Sequence, residues 1–372
     1  MSTGDSGASR SMFGFQGIWT PGVKLLRTLS FPVKAGIVMG LLMIPVVILA
    51  LAYFQAAMSQ VDFGLKERDG VVYVKAAIKT LEAVQILRGE VARGNVSPST
   101  QQQFDAAFKA LGQVEQSLGK DLGTSEAFAK LAPLLSKAAS EKDPEAARLV
   151  YAAFVEGLDE VKEQAVLNSN LALDPDADSY NLMAAVTDHL PSSTESLALM
   201  RSTGARVLTA GKFEGNQRDV FVRNVSLAEH HLDEVDKHLA EVYKVSPQLK
   251  AAMRGDEAIA AAHALDKFIE ANILNDLKPG DGAALRARIT DTIANLHAAN
   301  QRALDALDGL LVQRIEGFQA KELQIAVLLV VTLALALYVF VAFYRVTRGG
   351  NDEVARHLKA ITDCLLYTSR CV

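Results

Sequence analysis

AGIVMGLLMIPVVILALAYF, residues 35–54, contains no charged side chain. As a helix, this stretch is long enough to cross about 30 Å of hydrocarbon. A second uncharged run, LQIAVLLVVTLALALYVFVAFY, occupies residues 323–344, and no third run approaches that length. Pro45 in the first run reads as a kink within a membrane helix, not an end. A cleaved signal peptide fits poorly. The run starts at residue 35, is too long for an apolar signal core, and lacks a small-x-small cleavage site.

The flanks set the orientation. Arg10, Lys24, Arg27 and Lys34 precede the first run against the single acid Asp5, and Arg345, Arg348, Arg356 and Lys359 follow the second. The positive-inside rule then predicts both termini in the cytoplasm of a bacterial inner membrane. Residues 56–322 lie between the spans and hold 29 of the 38 basic and 39 of the 43 acidic residues. Their net charge of −10 suits a periplasmic location.

The divisions expected are a cytoplasmic leader (1–34), a first span (35–55), a periplasmic domain (56–322), a second span (323–344) and a cytoplasmic segment (345–363), with a short tail (364–372). In the leader, the Gly/Ser-rich first dozen residues read as disordered. Trp19, Val23, Leu25, Leu26 and Leu29, interleaved with Lys24 and Arg27, read either as a segment lying on the inner leaflet or as a loop with one exposed Trp.

Composition agrees with a helical membrane protein. Half of the residues are hydrophobic but only 6% are aromatic, so Ala, Leu and Val carry the apolar content. The net charge of −5 argues against nucleic-acid binding. Two cysteines are too few for a disulfide scaffold.

Between the spans the periodicity is helical throughout. Val71, Val74, Ile78, Leu81, Val84 and Ile86 recur at helical spacing along residues 62–94, in a helix that continues from the first span. Gly94-Asn95 and Pro98 end it. Further helices are expected at 99–118, 124–140 (bent or split at Pro133), 143–172, 177–211 (broken or bent near Pro191), 214–243, 246–253 and 255–276. The last helix opens near Asp281 and meets no breaker before Gly349. The first and last helices would each run about 90–95 Å, matched in length and able to pair. One pair cannot bury its own apolar stripes, and the intervening residues supply enough helices for four-helix packing. No alternating strand pattern is present. The expected fold is all-α: an elongated, membrane-anchored periplasmic bundle of two stacked four-helix-type modules between two transmembrane helices.

In the C-terminal segment Val354, Leu358 and Ile361 form a short amphipathic stripe suited to a parallel coiled coil, which three residues cannot bury without a second copy. Both cysteines, Cys364 and Cys371, fall in CLLYTSRCV. That string back-translates into two inverted copies of a transposon end used in sequencing-library adapters. Residues 364–372 therefore read as a non-native tail on a truncated chain and are set aside.

This organisation resembles a methyl-accepting chemotaxis protein. IWTPGVKLLRTLSFPVK and KERDGVVYVKAAIKTLEAVQILRGE are similar to the N-terminal pattern of that group. NSNLALDPDADSYNLMAAVTDHLP is similar to its central motif, and FYRVTRGGNDEVARHLKAITD to its entry into a HAMP linker. The chain departs from the pattern at Leu87, where a His commonly precedes the Arg. It departs again at Arg348-Gly349-Gly350, where a proline is usual. The resemblance implies a parallel homodimer sensing a small molecule or a periplasmic binding protein. In the full-length protein it also implies a coupling protein and a histidine kinase as partners. The same sensor module also fronts histidine kinases and diguanylate cyclases, which is the alternative reading.

Arg88, amid Leu81, Val84, Ile86 and Leu87, either clamps a carboxylate or nitrate-like anion bidentately or forms a structural ion pair between helices. Tyr180, Arg201 and Arg206 lie on or beside the central motif and are candidates to line an inter-helix pocket, against packing or a solvated face. Asp174, Asp176 and Asp178 resemble a calcium loop. Ser179 replaces the required Gly, however, and Ala185 replaces the bidentate Glu, so helix capping is the preferred account. His231, Glu234 and His238 share a helix face at i, i+3 and i+7. With no fourth ligand in view and charged neighbours all around, they read as surface residues. RSTGARV, around Gly204, lacks the strand a phosphate loop needs. With no nucleophile elbow, P-loop or zinc signature, neither catalysis nor a cofactor is expected.

Overall fold

The computed structural model describes residues 19–369, with side chains as far as residue 363. The disorder expected for the first dozen residues lies outside the described residues, as do the side chains of the 364–372 tail. The protein is about 90% helical and has no strand among the described residues. Two of its helices are long and apolar enough to cross a membrane.

The helices are α1 (Thr20–Thr28), α2 (Phe31–Val91), α3 (Pro98–Leu122), α4 (Ser125–Ala129), α5 (Leu131–Ser140) and α6 (Pro144–Asn168). They continue as α7 (Ala177–Ala184), α8 (Leu190–Ala210), α9 (Gln217–Val245), α10 (Gln248–Met253), α11 (Gly255–Ile269) and α12 (Gly282–Ser369). A π-turn, Ala185–His189, joins α7 to α8 without a break in helical structure, and a second, Glu270–Asn275, extends α11. α2 continues through Pro45 for 61 residues. The break expected at Pro133 falls instead at Lys130, and Pro133 sits in the first turn of α5, where its missing N–H costs no bond. α12 runs through Gly349-Gly350 for 88 residues, where a breaker was expected.

Inter-residue contacts divide the chain into two compact units. One is Ser59–Phe318; the other combines Met1–Met58 with Gln319–Val372. In the second, the apolar stretches of α2 and α12 expose their side chains, among them Leu41, Leu49, Leu328 and Val330. Phe31 and Tyr344 stack there at 6.1 Å. α1 has Pro21 in its first turn and leaves Trp19 and Leu25 exposed.

Ser59–Phe318 contains two hydrophobic cores that share α2. Tyr73, Leu81, Val84 and Leu87 of α2 pack with Phe104 and Leu111 of α3, Leu131 of α5, and Phe154 and Leu158 of α6. Phe104 and Phe154 meet edge to face at 5.6 Å. Val71, Val74 and Ile78 turn to the other core, with Leu197 and Met200 of α8, Leu232 and Val235 of α9, and Leu265 of α11. α12 adds Ile289, Ile293, Leu296, Ala299, Ala303, Leu307 and Leu311, a stripe at three- and four-residue spacing. Both cores therefore draw on the same stretch of α2, from two of its faces.

Local signals explain the helix ends. Ser97 caps α3 by accepting from the Thr100 N–H, and Asp143 caps α6 through the Glu145 and Ala146 N–H groups. Gly211 ends α8 at φ 65°, and a Cβ there would lie 2.6 Å from the Pro279 ring. Only glycine meets both conditions.

Candidate functional site

Towards the end of α2, Gln85 and Arg88 point inwards and are buried. A buried guanidinium must be paired, because desolvating a lone charge is expensive. Arg88 is paired with Glu195 of α8, Nη1 to Oε1 at 2.6 Å and Nη2 to Oε2 at 2.9 Å. Of the two roles its sequence context allows, it occupies the inter-helix ion pair, with both of its outer nitrogens engaged.

The pairing extends into a seam across three helices. Gln85 Nε2 donates to Glu195 Oε2 at 3.1 Å, which turns its Oε1 to His297 Nε2 of α12 at 3.0 Å. His297 Nε2 therefore carries the proton and donates. Burial pushes the His297 pKa down to about 4, so the ring is neutral at pH 7. Its Nδ1, and both amide atoms of Asn300 one turn further along α12, meet no protein partner.

Arg201 of α8 joins the same seam. Its Nη2 donates to the Gln85 carbonyl oxygen at 2.9 Å and lies where a Cβ on Gly89 would come within 2.5 Å of it. Burial, then the nearby Arg93, Arg88 and Arg286, push its pKa down to about 10, which leaves it cationic at neutral pH. The structure thus brings Arg88 and Arg201 together. It does not bring Tyr180 or Arg206 to them: both are exposed, on α7 and on the outer face of α8.

Glu195 also borders a cleft of about 440 Å³ between α2, α6, α8 and α9, lined among others by Ile78, Lys162, Ser192, Arg223 and His231. Lys162 is paired with Asp159 at 2.5 Å. The cleft is apolar on its α2 side and carries both signs of charge elsewhere, a lining suited to a small amphiphilic molecule.

The aspartate motif is not the simple helix cap expected of it. Asp176 heads α7 without a side-chain cap bond. Asp174 is buried, and its Oδ1 accepts from the Asp176 N–H at 2.9 Å, Ser179 Oγ at 2.8 Å and Arg314 Nη1 at 2.7 Å. Arg314 of α12 also bonds Asp176 and the buried Glu67 of α2. Burial pushes the Glu67 carboxyl up to about 7, the opposing pull of Arg314 notwithstanding. Gly204 lies within α8 against Phe221, which leaves no room for a phosphate.

His231 and His238 are half-buried, not surface residues as expected, because they face His189 at the end of the π-turn. Sequence reasoning passed over His189, and equally Gln85, Glu195 and His297. For His297 a signal existed: it adjoins Leu296 on an otherwise apolar stripe. For Glu195, 107 residues from Arg88, there was none.

No family model, no curated protein and no solved structure matches the chain.

Proposed function

We propose that the chain is the sensory and membrane-anchoring portion of a methyl-accepting chemotaxis protein, in which residues 59–318 sense a periplasmic signal and α12 carries it inwards. The observation that supports this reading most is the continuity of α12. One unbroken helix contains the seam residue His297, the clamp residue Arg314, the apolar 323–344 stretch and the amphipathic 345–363 segment. On this reading a shift of about 1–2 Å of α12 is the signal that passes along the helix. The cleft beside Glu195 supplies a place where a small molecule can bear on α8, and through Gln85 and His297 on α12. The stripe Val354, Leu358 and Ile361 gives a second copy something to pair with, in a parallel homodimer.

The test is a chimera of residues 1–363 with the kinase-controlling cytoplasmic half of an established chemoreceptor. In membranes it should control kinase activity. Glu195→Gln and His297→Leu should then bias that output while leaving the amount of chimera unchanged. An output indifferent to both substitutions would remove the seam from the signalling path. A phosphatase fusion at residue 200 that is inactive, beside an active one at 363, would reverse the topology and end the proposal.

A further inference from the structure

We propose that His189, His231, Glu234 and His238 form a binding site for a first-row transition-metal dication of the zinc type, tying the π-turn before α8 to α9. A ring nitrogen of His189, one of His238 and a carboxylate oxygen of Glu234 all lie within 4.8 Å of one another. His231 Nδ1 lies 3.1 Å from His189 Nδ1. Ligands at 2.0–2.1 Å from a tetrahedral zinc are separated by about 3.3 Å, close to the separation of these two hydrogen-bonded imidazole nitrogens, whose shared proton a metal would displace. The His189, Glu234 and His238 donors need to close by up to about 1.5 Å to reach that spacing, by side-chain rotamer adjustment.

The surroundings orient the donors as a metal site requires. Asn181 of α7 donates its amide N–H to the Ala177 carbonyl oxygen at 2.6 Å, which turns its Oδ1 to His238 Nδ1 at 2.8 Å. His238 therefore keeps its proton on Nδ1 and presents the Nε2 lone pair. This is the arrangement in which a ligating histidine gives its other N–H to an outer acceptor. Glu234 uses only Oε1, towards Lys237 at 2.6 Å, and Oε2 stays available.

The π-turn is what brings His189 into place. An extra residue in a helical turn rotates everything after it by about 100° relative to an uninterrupted α-helix. Ligands projecting inwards from facing helices are also how helical bundles hold metals, and Glu234 and His238, at i and i+4, share one face of α9. Three imidazoles and one carboxylate select zinc, nickel or copper over calcium or magnesium, which prefer oxygen-only sets. The inference is independent of the signalling reading.

The experiment uses the full chain without a histidine tag, in detergent micelles, stripped with a chelator and titrated with Zn²⁺ in a calorimeter. One equivalent should bind at micromolar or tighter affinity, undiminished by excess Ca²⁺ or Mg²⁺. Co²⁺ should give the intense visible bands of a four-coordinate nitrogen and oxygen site. His189→Gln and His238→Gln should each weaken binding at least tenfold, and Asn181→Ala by about 10–100-fold through loss of the outer acceptor. His263→Ala, removing a histidine bonded to Asp236 at 2.9 Å away from the cluster, should leave affinity unchanged. Absence of binding up to millimolar Zn²⁺ would overturn the proposal. So would wild-type affinity in His189→Gln, or a Co²⁺ spectrum of octahedral weakness in the unaltered chain.

Discussion

Asp266 occupies a position on α11 that its neighbours use for packing: Ala262, Leu265 and Ile269 surround it on the helix and are buried. It is 7% exposed, and neither carboxylate oxygen has a hydrogen-bond partner. Burial, reinforced by Glu229 and Asp233 and only partly offset by His263, pushes its pKa up from 3.8 to about 7. Between those values the folded chain holds a proton that the unfolded chain releases. Its contribution is therefore fully present below pH 3.8 and is lost as pH rises through about 7. Each pKa unit is worth about 1.4 kcal/mol, so the loss on reaching pH 8 is about 4 kcal/mol. Asp266→Asn keeps the shape and removes the titration. The variant should match the wild-type chain near pH 4 and exceed it by about 4 kcal/mol at pH 8. At about 2–4 °C per kcal/mol for a domain of this size, that is a gap of about 10 °C in Tm. Thermal unfolding followed by circular dichroism at one scan rate, in micelles between about pH 4 and 8, reads it directly. Wild-type and variant curves that run parallel across that range would show that the Asp266 carboxyl is solvated or paired, and the reasoning would fail.

Two further substitutions probe the polar groups between helices. Arg314→Leu strands Glu67 and Asp174, both fully buried side chains, and should cost about 3–5 kcal/mol in denaturant unfolding near neutral pH; a cost below about 1 kcal/mol would mean that water already reaches the cluster. Gly282→Ala places a Cβ 2.1 Å from the Ala205 carbonyl oxygen, a backbone atom that cannot swing aside, and should lower stability by about 1–3 kcal/mol, checked by the same unfolding curve.

What the sequence made legible follows from what periodicity can encode. The two uncharged runs and the apolar stripe of α2 report local environment along the chain, and they predict helices well. The same counting fails where helical phase changes. The π-turn at Ala185–His189 resets the wheel, so His189 could not be placed opposite His231 and His238 by spacing alone. Breaks are also decided by packing as much as by residue type. Pro133 is accommodated in a first turn, and Gly349-Gly350 costs α12 about 1 kcal/mol per glycine without ending it. Pair partners are the least legible. Arg88 announced itself as a charge in an apolar stripe, but nothing near it in the chain pointed to Glu195. The aspartate motif illustrates the opposite error. Its local capping signal was real in type, yet Arg314, 140 residues from Asp174, took its carboxylates.

Inside Ser59–Phe318, buried and exposed ion pairs between α2 and α12 respond differently to a shift of one helix along the other. Arg68–Asp308 and Lys75–Asp305 join the two helices at 2.7 Å each, with their side chains partly in solvent. Such pairs are worth about 0–1 kcal/mol and reform readily after small displacements. The Glu67, Asp174 and Arg314 cluster has no such freedom. Moving α12 by one helical turn, about 5.4 Å, would carry the guanidinium away from both carboxylates and leave them buried and unpaired. A displacement of 1–2 Å keeps it within hydrogen-bonding reach, because the arginine side chain can extend and each carboxylate retains an unused oxygen, Glu67 Oε1 and Asp174 Oδ2. The helix pair is therefore stiff against a change of register and compliant to a short slide. Under the proposed function that combination is what a receptor needs: a small signal passes along α12, while the bundle keeps the alignment that gives the signal its direction.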